Sequence, residues 1–320
     1  MNKRGFIFTF ISVILVSVIM LAFLIQYSSR TRVNIERINT DVETMNSFVK
    51  NLNNDYIPRA IEVSGNQAIL SLLDYMDEND KYVGKTSEGE PEEGEPWNIE
   101  HVIINAMLDG EYKNGFGEGE EGPELALMEI DDVSYNLSST LNEINLLANF
   151  TGINLNYEDV QKQKIEVFQD SPWHVNISIE MSYTIKNKDS SISWNYENIK
   201  IKTAIPISNF KDPLYFINAD SEVIINRTTY ELPSEINEHV ADTNYAQCGK
   251  SPNFLNRTQG NFEDMENSGL SGIESLVDFQ SPLYSVIDFQ YLNTINPSPR
   301  TNIGGSGYLI DSTHDECYNI

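Results

Sequence analysis

Hydrophobic positions along this chain change their spacing twice. From Phe6 to Ile25 they are continuous, in the run FIFTFISVILVSVIMLAFLI: 20 residues without a charge, following Lys3, Arg4 and Gly5. At about 1.5 Å per residue such a helix spans roughly 30 Å, the hydrocarbon thickness of a bilayer. A removable secretory signal has a shorter apolar region and a small-x-small cleavage site. Here Ser28 and Ser29 follow a full-length span and lead into Arg30, so the run predicts a retained membrane helix.

Spacing then becomes helical. Ile35, Ile38, Val42, Met45, Val49, Leu52 and Tyr56 recur at alternating intervals of three and four, a narrow seam on one helix face. This predicts one rod leaving the membrane, kinked or ended at Pro58, with a second helical stretch over Ala60 to Met76. Trp97 to Leu108 reads as a short helix, and Ile130, Val133, Leu137, Leu141, Ile144 and Ala148 as an amphipathic one.

From Lys164 the period is two. In Trp173 to Ile185 the residues Trp173, Val175, Ile177, Ile179, Met181, Tyr183 and Ile185 alternate with polar ones, as in an antiparallel strand with one wet face. Asn187 to Ser190 reads as a turn. The next strand shifts phase at Glu197 and Asn198, which predicts a bulge. Ile165 to Phe168 and Leu214 to Ile217 would complete a meander of about three or four strands. Beyond Asn226 regularity fades, with a short helix expected within Glu231 to Val240 and a loop-rich segment after it.

Composition narrows the partners. Lys and Arg number 21 against 48 Asp and Glu, a formal charge of −27. A surface this acidic repels nucleic acid and anionic lipid headgroups, and neither is expected as a direct partner. The segments Gly84 to Pro96 and Gly110 to Glu124 are rich in Gly and Glu and read as solvated loops; neither matches the calcium-loop pattern.

Chemistry-bearing motifs are sparse. His101, His174, His239 and His314 share no metal-ligand spacing, and Ser306 lies in GGSG rather than G-x-S-x-G. There is no CxxC, Walker A or G-x-G-x-x-G pattern. No catalytic residue, metal ligand or cofactor is assigned, and the chain is read as a non-enzyme. Cys248 and Cys317 are its two cysteines, either joined as a disulfide or standing as separate buried thiols. Asn136, Asn149, Asn176, Asn226 and Asn256 begin N-x-Ser/Thr acceptors for glycosylation.

Lys3-Arg4-Gly5 followed by Phe6 resembles the prepilin peptidase site of type IV pilin-like (class III signal peptide) proteins: a basic leader, a small residue at the cut, then a helix that stays on the mature protein. SPW at Ser171 to Trp173 and DPLY at Asp212 to Tyr215 are similar to archaeal members. The resemblance implies cleavage between Gly5 and Phe6, and a long helix packed on an antiparallel sheet. It departs at Phe10, where many pilins place a Glu that pairs with a neighbour's terminal amine; this points to a minor-pilin-like or non-polymerising anchored relative.

The expected organisation is therefore a leader at 1–5, a transmembrane helix at 6–25 and a helical region with acidic loops at 26–160. An antiparallel sheet at 161–230 and a loop-rich C-terminal subdomain or cap at 231–320 follow. The class is α+β. The expected role is a single-pass cell-membrane protein with an extracytoplasmic body, structural or adhesive. Its expected contacts are membrane lipid through the helix and copies of itself or other pilin-like subunits. A membrane-tethered ligand- or glycan-binding module is the alternative, and an anchored hydrolase is third.

Overall fold

The computed structural model describes residues 19–28, 39–83, 99–112, 125, 128–130, 133–157, 160–219, 222–260, 271–277, 284–285, 300–302, 308–311 and 314–319. Lys3, Arg4, Gly5, Phe6 and the apolar run as far as Val18 lie outside them, as do 84–96 and 113–124 of the acidic segments. Residues 19–28 are helical, and Ile19, Met20, Leu21, Phe23, Leu24 and Ile25 are all exposed. Among the described residues no helix is long and apolar enough to cross a membrane.

Of the rod expected after the apolar run, the part from residue 39 is present in α1, residues 39–79; Ile35 and Ile38 lie outside the described residues. Pro58 neither ends nor interrupts it. Proline has no N–H for the carbonyl four residues back, and its ring presses on that carbonyl. The chain meets this one residue earlier by widening its turn over Leu52–Tyr56, so that the Ile57 N–H bonds Leu52 five residues back. α1 closes after Asn79, with Asp80 in the left-handed conformation at φ 50°.

The second helix, α2, is Ile99–Asp109. The amphipathic stretch expected from Ile130 begins later. Glu129–Ile130 (β1) and Val133–Ser134 (β2) form a small antiparallel pair, and α3 occupies Leu137–Phe150 because the Asn136 side chain caps it, accepting from the Ser139 N–H at 2.8 Å.

The sheet has β5 (His174–Asn187) at its centre. β6 (Ser193–Pro206) pairs antiparallel along one edge of it. β3 (Ile153–Tyr157) and β4 (Ile165–Ser171) share the other edge end to end. The β5–β6 register slips between Met181 and Tyr183, opposite Glu197 and Asn198. There Asn198 takes φ 51° and its N–H bonds the Ser182 hydroxyl at 3.0 Å, which is the bulge that the phase change predicts. Leu214–Ile217 is not a strand. It lies in α4, Pro213–Ala219, where Pro213 fits the first turn and Asp212 accepts from the Leu214 N–H at 3.0 Å. The fourth strand is β3, from the stretch expected to be helical.

Val175, Ile177, Ile179, Met181, Tyr183 and Ile185 all face inward and are at most 3 % exposed. The three helices stack on this face. α1 approaches so closely at Gly65 that a Cβ there would stand 2.4 Å from the Ile177 Cδ1 and 2.6 Å from the Ile205 Cδ1. On the opposite face, ion pairs Lys200–Glu166 at 2.8 Å and Lys202–Asp170 at 3.3 Å join β6 to β4 across the small polar side chains of β5. Ser178 and Asn176 are buried beneath them.

The last third folds from short pieces: α5 (Ile236–Ala241), β7 (Ala246–Gln247), α6 (Phe254–Gln259), β8 (Ile273–Glu274), β9 (Leu276–Val277), β10 (Tyr284–Ser285), β11 (Arg300–Asn302) and β12 (Leu309–Asp311). Ile236, Val240, Leu276, Tyr308, Ile310 and Tyr318 make a second, smaller core there.

Candidate functional site

Chemistry-bearing side chains converge where these short pieces meet the sheet domain. β7 and β8 pair antiparallel, which sets Cys248, just past β7, against the strand that carries Glu274. Gly272 permits the approach: a Cβ on it would stand 2.1 Å from the Cys248 carbonyl oxygen and 2.2 Å from that of Ser251, closer than any side chain allows. The final turn, Asp315–Tyr318, brings Cys317 to Cys248, with Cα atoms 4.9 Å apart and sulfurs at bonding distance.

Beside the sulfurs lies Glu274, fully buried. Its Oε2 accepts from the Ser251 hydroxyl at 2.6 Å and shares a hydrogen bond with the His314 Nδ1, also at 2.6 Å. His314 Nδ1 is also 4.0 Å from the Cys248 sulfur. Serine, carboxylate and imidazole are all present, but Ser251 bonds the carboxylate rather than the imidazole. The relay that would draw a proton from a nucleophilic hydroxyl is therefore not formed. The ligand atoms of Cys248, Glu274 and Cys317 lie within 4.8 Å of one another. With the sulfurs joined, neither offers a thiolate; as free thiols they would form a sulfur-rich set with Glu274, of the donor type that suits a zinc-like ion.

A second buried charge cluster lies alongside. Arg257 on α6 pairs with Asp212 at 2.6 Å, both side chains without solvent exposure. Asp212 also accepts from the Tyr245 hydroxyl at 2.8 Å, and the Arg257 Nε donates to the Pro252 carbonyl at 3.2 Å. Arg257 Nη2 reaches the Ile273 carbonyl, and Tyr215 donates to the Ser275 carbonyl at 3.2 Å. Burial opposes the guanidinium charge, but the carboxylate of Asp212 and the other groups around it outweigh this, and its pKa is raised. Burial also pushes the Tyr215 and Tyr245 hydroxyls well above the ordinary tyrosine range. The cluster ties the entry of α4, α6 and the β8 strand into one unit.

His239 on α5 is fully buried; its Nδ1 lies 3.1 Å from the Thr228 hydroxyl and its ring meets Tyr318 edge-on at 6.3 Å between centroids. Burial lowers its pKa to about 4, the nearby Glu274 opposing this in part. His174 is exposed near Ser171, and His101 lies on α2, so the four histidines do not converge.

The five glycosylation acceptors differ in access. Asn149 and Asn226 are exposed, Asn256 is half-buried on α6, and Asn136 is half-buried and engaged as the cap of α3. Asn176 is withdrawn: it is 5 % exposed and its amide donates to Asp170 at 2.6 Å.

The sequence left the two cysteines as either a disulfide or separate thiols, and gave no sign of Glu274, Ser251 or Arg257. These are single polar residues on short, separate pieces of chain, and only their burial marks them. Comparison with protein-family models, with curated proteins and with solved structures gives no match to this chain.

Proposed function

We propose that this chain is a membrane-anchored, extracytoplasmic structural or adhesive protein of pilin-like or minor-pilin-like character. The Phe6 to Ile25 helix holds it in the bilayer and continues toward α1, and the α+β body projects outside. Lipid around the helix, copies of the chain or other pilin-like subunits are its partners.

The observation that carries this reading is the helix at 19–28. Its six large apolar side chains, Ile19 to Ile25, are 48–68 % exposed. Apolar surface of that density requires a partner, and the run it belongs to has the length that a bilayer accommodates. A body in which one long helix lies on an antiparallel sheet agrees with the resemblance. The protein should stay with membranes through alkaline carbonate washing, and protease added to intact cells should remove the body. Digestion only after lysis, or release by carbonate, would overturn the reading.

A further inference from the structure

α2 carries an amide within an otherwise apolar stretch. From Val102 to Leu108 every residue is buried, and all but Asn105 are apolar. Asn105 has no solvent exposure, and a buried amide is costly unless its polar atoms are engaged. Lys162 meets it, with Nζ 2.7 Å from Oδ1. Asp109 follows Asn105 by four residues and so shares its face of α2; its Oδ2 is also 2.7 Å from that Nζ.

The backbone fixes the lysine against this face. Lys162–Lys164 is a single tight turn in which the Lys162 carbonyl accepts from the Ile165 N–H, and it opens directly into β4 at Ile165. β4 packs on α2. Lys162 is half-buried and Asp109 stands at the exposed end of α2, so the amine reaches inward to a carbonyl that water does not touch. Lys164 meets Asn198 and Glu180, each at 3.2 Å, in a set of the same three residue types. There the asparagine is exposed, and water competes for amine and amide alike.

We propose that Lys162 and Asn105 are a site of covalent self-modification, joined by an intramolecular amide bond whose formation Asp109 assists. With a C=O bond of about 1.2 Å, the 2.7 Å approach to Oδ1 puts Nζ within about 3.9 Å of Cγ, close to the reacting separation of about 3–3.5 Å. Asp109 takes a proton from the lysine ammonium, and the freed lone pair on Nζ bonds to Cγ. The Cγ–Nδ2 bond then breaks as the two protons that Nζ gives up pass by way of Asp109 to Nδ2, which leaves as ammonium. An ammonium and a primary amide become a secondary amide and an ammonium ion, Asp109 ends as the carboxylate it began as, and no oxidant or cofactor enters. The bond ties α2 to the start of β4 and encloses β1, β2, α3 and β3 between its ends. It does not depend on the anchored reading above.

The test is peptide mapping of the full chain, purified folded, then denatured in reductant and digested with trypsin. The wild type should yield a branched peptide uniting the Asn105 and Lys162 segments, one ammonia lighter than the two linear peptides together, with no cleavage after Lys162. Asp109→Asn and Lys162→Arg should each return both linear peptides with the circular dichroism of the wild type, while the Lys164 and Asn198 segments stay linear throughout. Two linear peptides from folded wild-type chain, cleaved after Lys162, overturn the proposal whatever the variants do. A branched peptide that persists undiminished in Asp109→Asn overturns the role given to Asp109, and a link between Lys164 and Asn198 overturns the requirement for a buried amide.

Discussion

Arg257 and Asp212 meet at 2.6 Å in a place that solvent does not reach for either side chain. Taking two ions out of water costs more than their attraction returns unless the surrounding hydrogen bonds are filled. Here Tyr245, the Leu214 N–H and the Pro252 and Ile273 carbonyls fill them. The pair therefore fixes how α4, α6 and β8 sit together rather than adding much net stability.

Removing one partner should be far worse than removing both. Arg257→Met leaves an uncompensated buried carboxylate and is expected to cost about 3–5 kcal/mol in urea denaturation. Adding Asp212→Asn should recover a large part of that loss. Equal destabilisation by the single and double variants would contradict this.

Gly65 is a packing residue. Alanine would gain about 1 kcal/mol of helix propensity but place its methyl into the Ile177 and Ile205 side chains, nearly cancelling. Gly65→Leu has no such compensation and should lose about 1–3 kcal/mol, read as a lower urea midpoint at unchanged slope.

His239 makes the fold sensitive to acid. Its pKa falls from 6.5 to about 4 on folding, so the unfolded chain binds the proton more readily. This contribution is constant above pH 6.5 and is lost as pH falls from there toward 4. The total loss is about 3 kcal/mol, at about 1.4 per pH unit. His239→Leu should flatten stability against pH in that window; an unchanged profile would rule out His239 as its source.

Cys248 and Cys317 enclose 69 residue steps, and a link between them is worth about 4 kcal/mol at most by loop-closure entropy. Non-reducing digests should yield the joined peptides, and reductant should lower the melting temperature. Recovery of both as free thiols from rapidly alkylated cells would contradict the link and leave Cys248, Glu274 and Cys317 as a set of metal-ligand type.

Regular alternation was the legible part of this chain. Trp173 to Ile185 specified its strand and its inward face, because a period of two sends alternate side chains to one side, and the phase change at Glu197 and Asn198 of the next strand specified the bulge opposite Ser182. Helical spacing likewise marked α1. It failed where a local group overrode the pattern: Asn136 starts α3 later than the apolar spacing does, and Pro213 with Asp212 turns an apolar stretch into α4. The buried cluster of Glu274, His314, Ser251, Asp212 and Arg257 left no periodic trace, since its members come from separate short pieces brought together by tertiary contacts.

The reading as a pilin-like anchored protein is tested most directly by the mass of the N-terminal peptide of protein recovered from membranes of a host with prepilin peptidase. Lys3, Arg4 and Gly5 ahead of Phe6 predict a mature chain beginning at Phe6, and Gly5 replaced by a bulky charged residue should leave the precursor uncut. A wild-type protein that retains its first five residues would contradict the account and reduce the segment to an ordinary signal anchor.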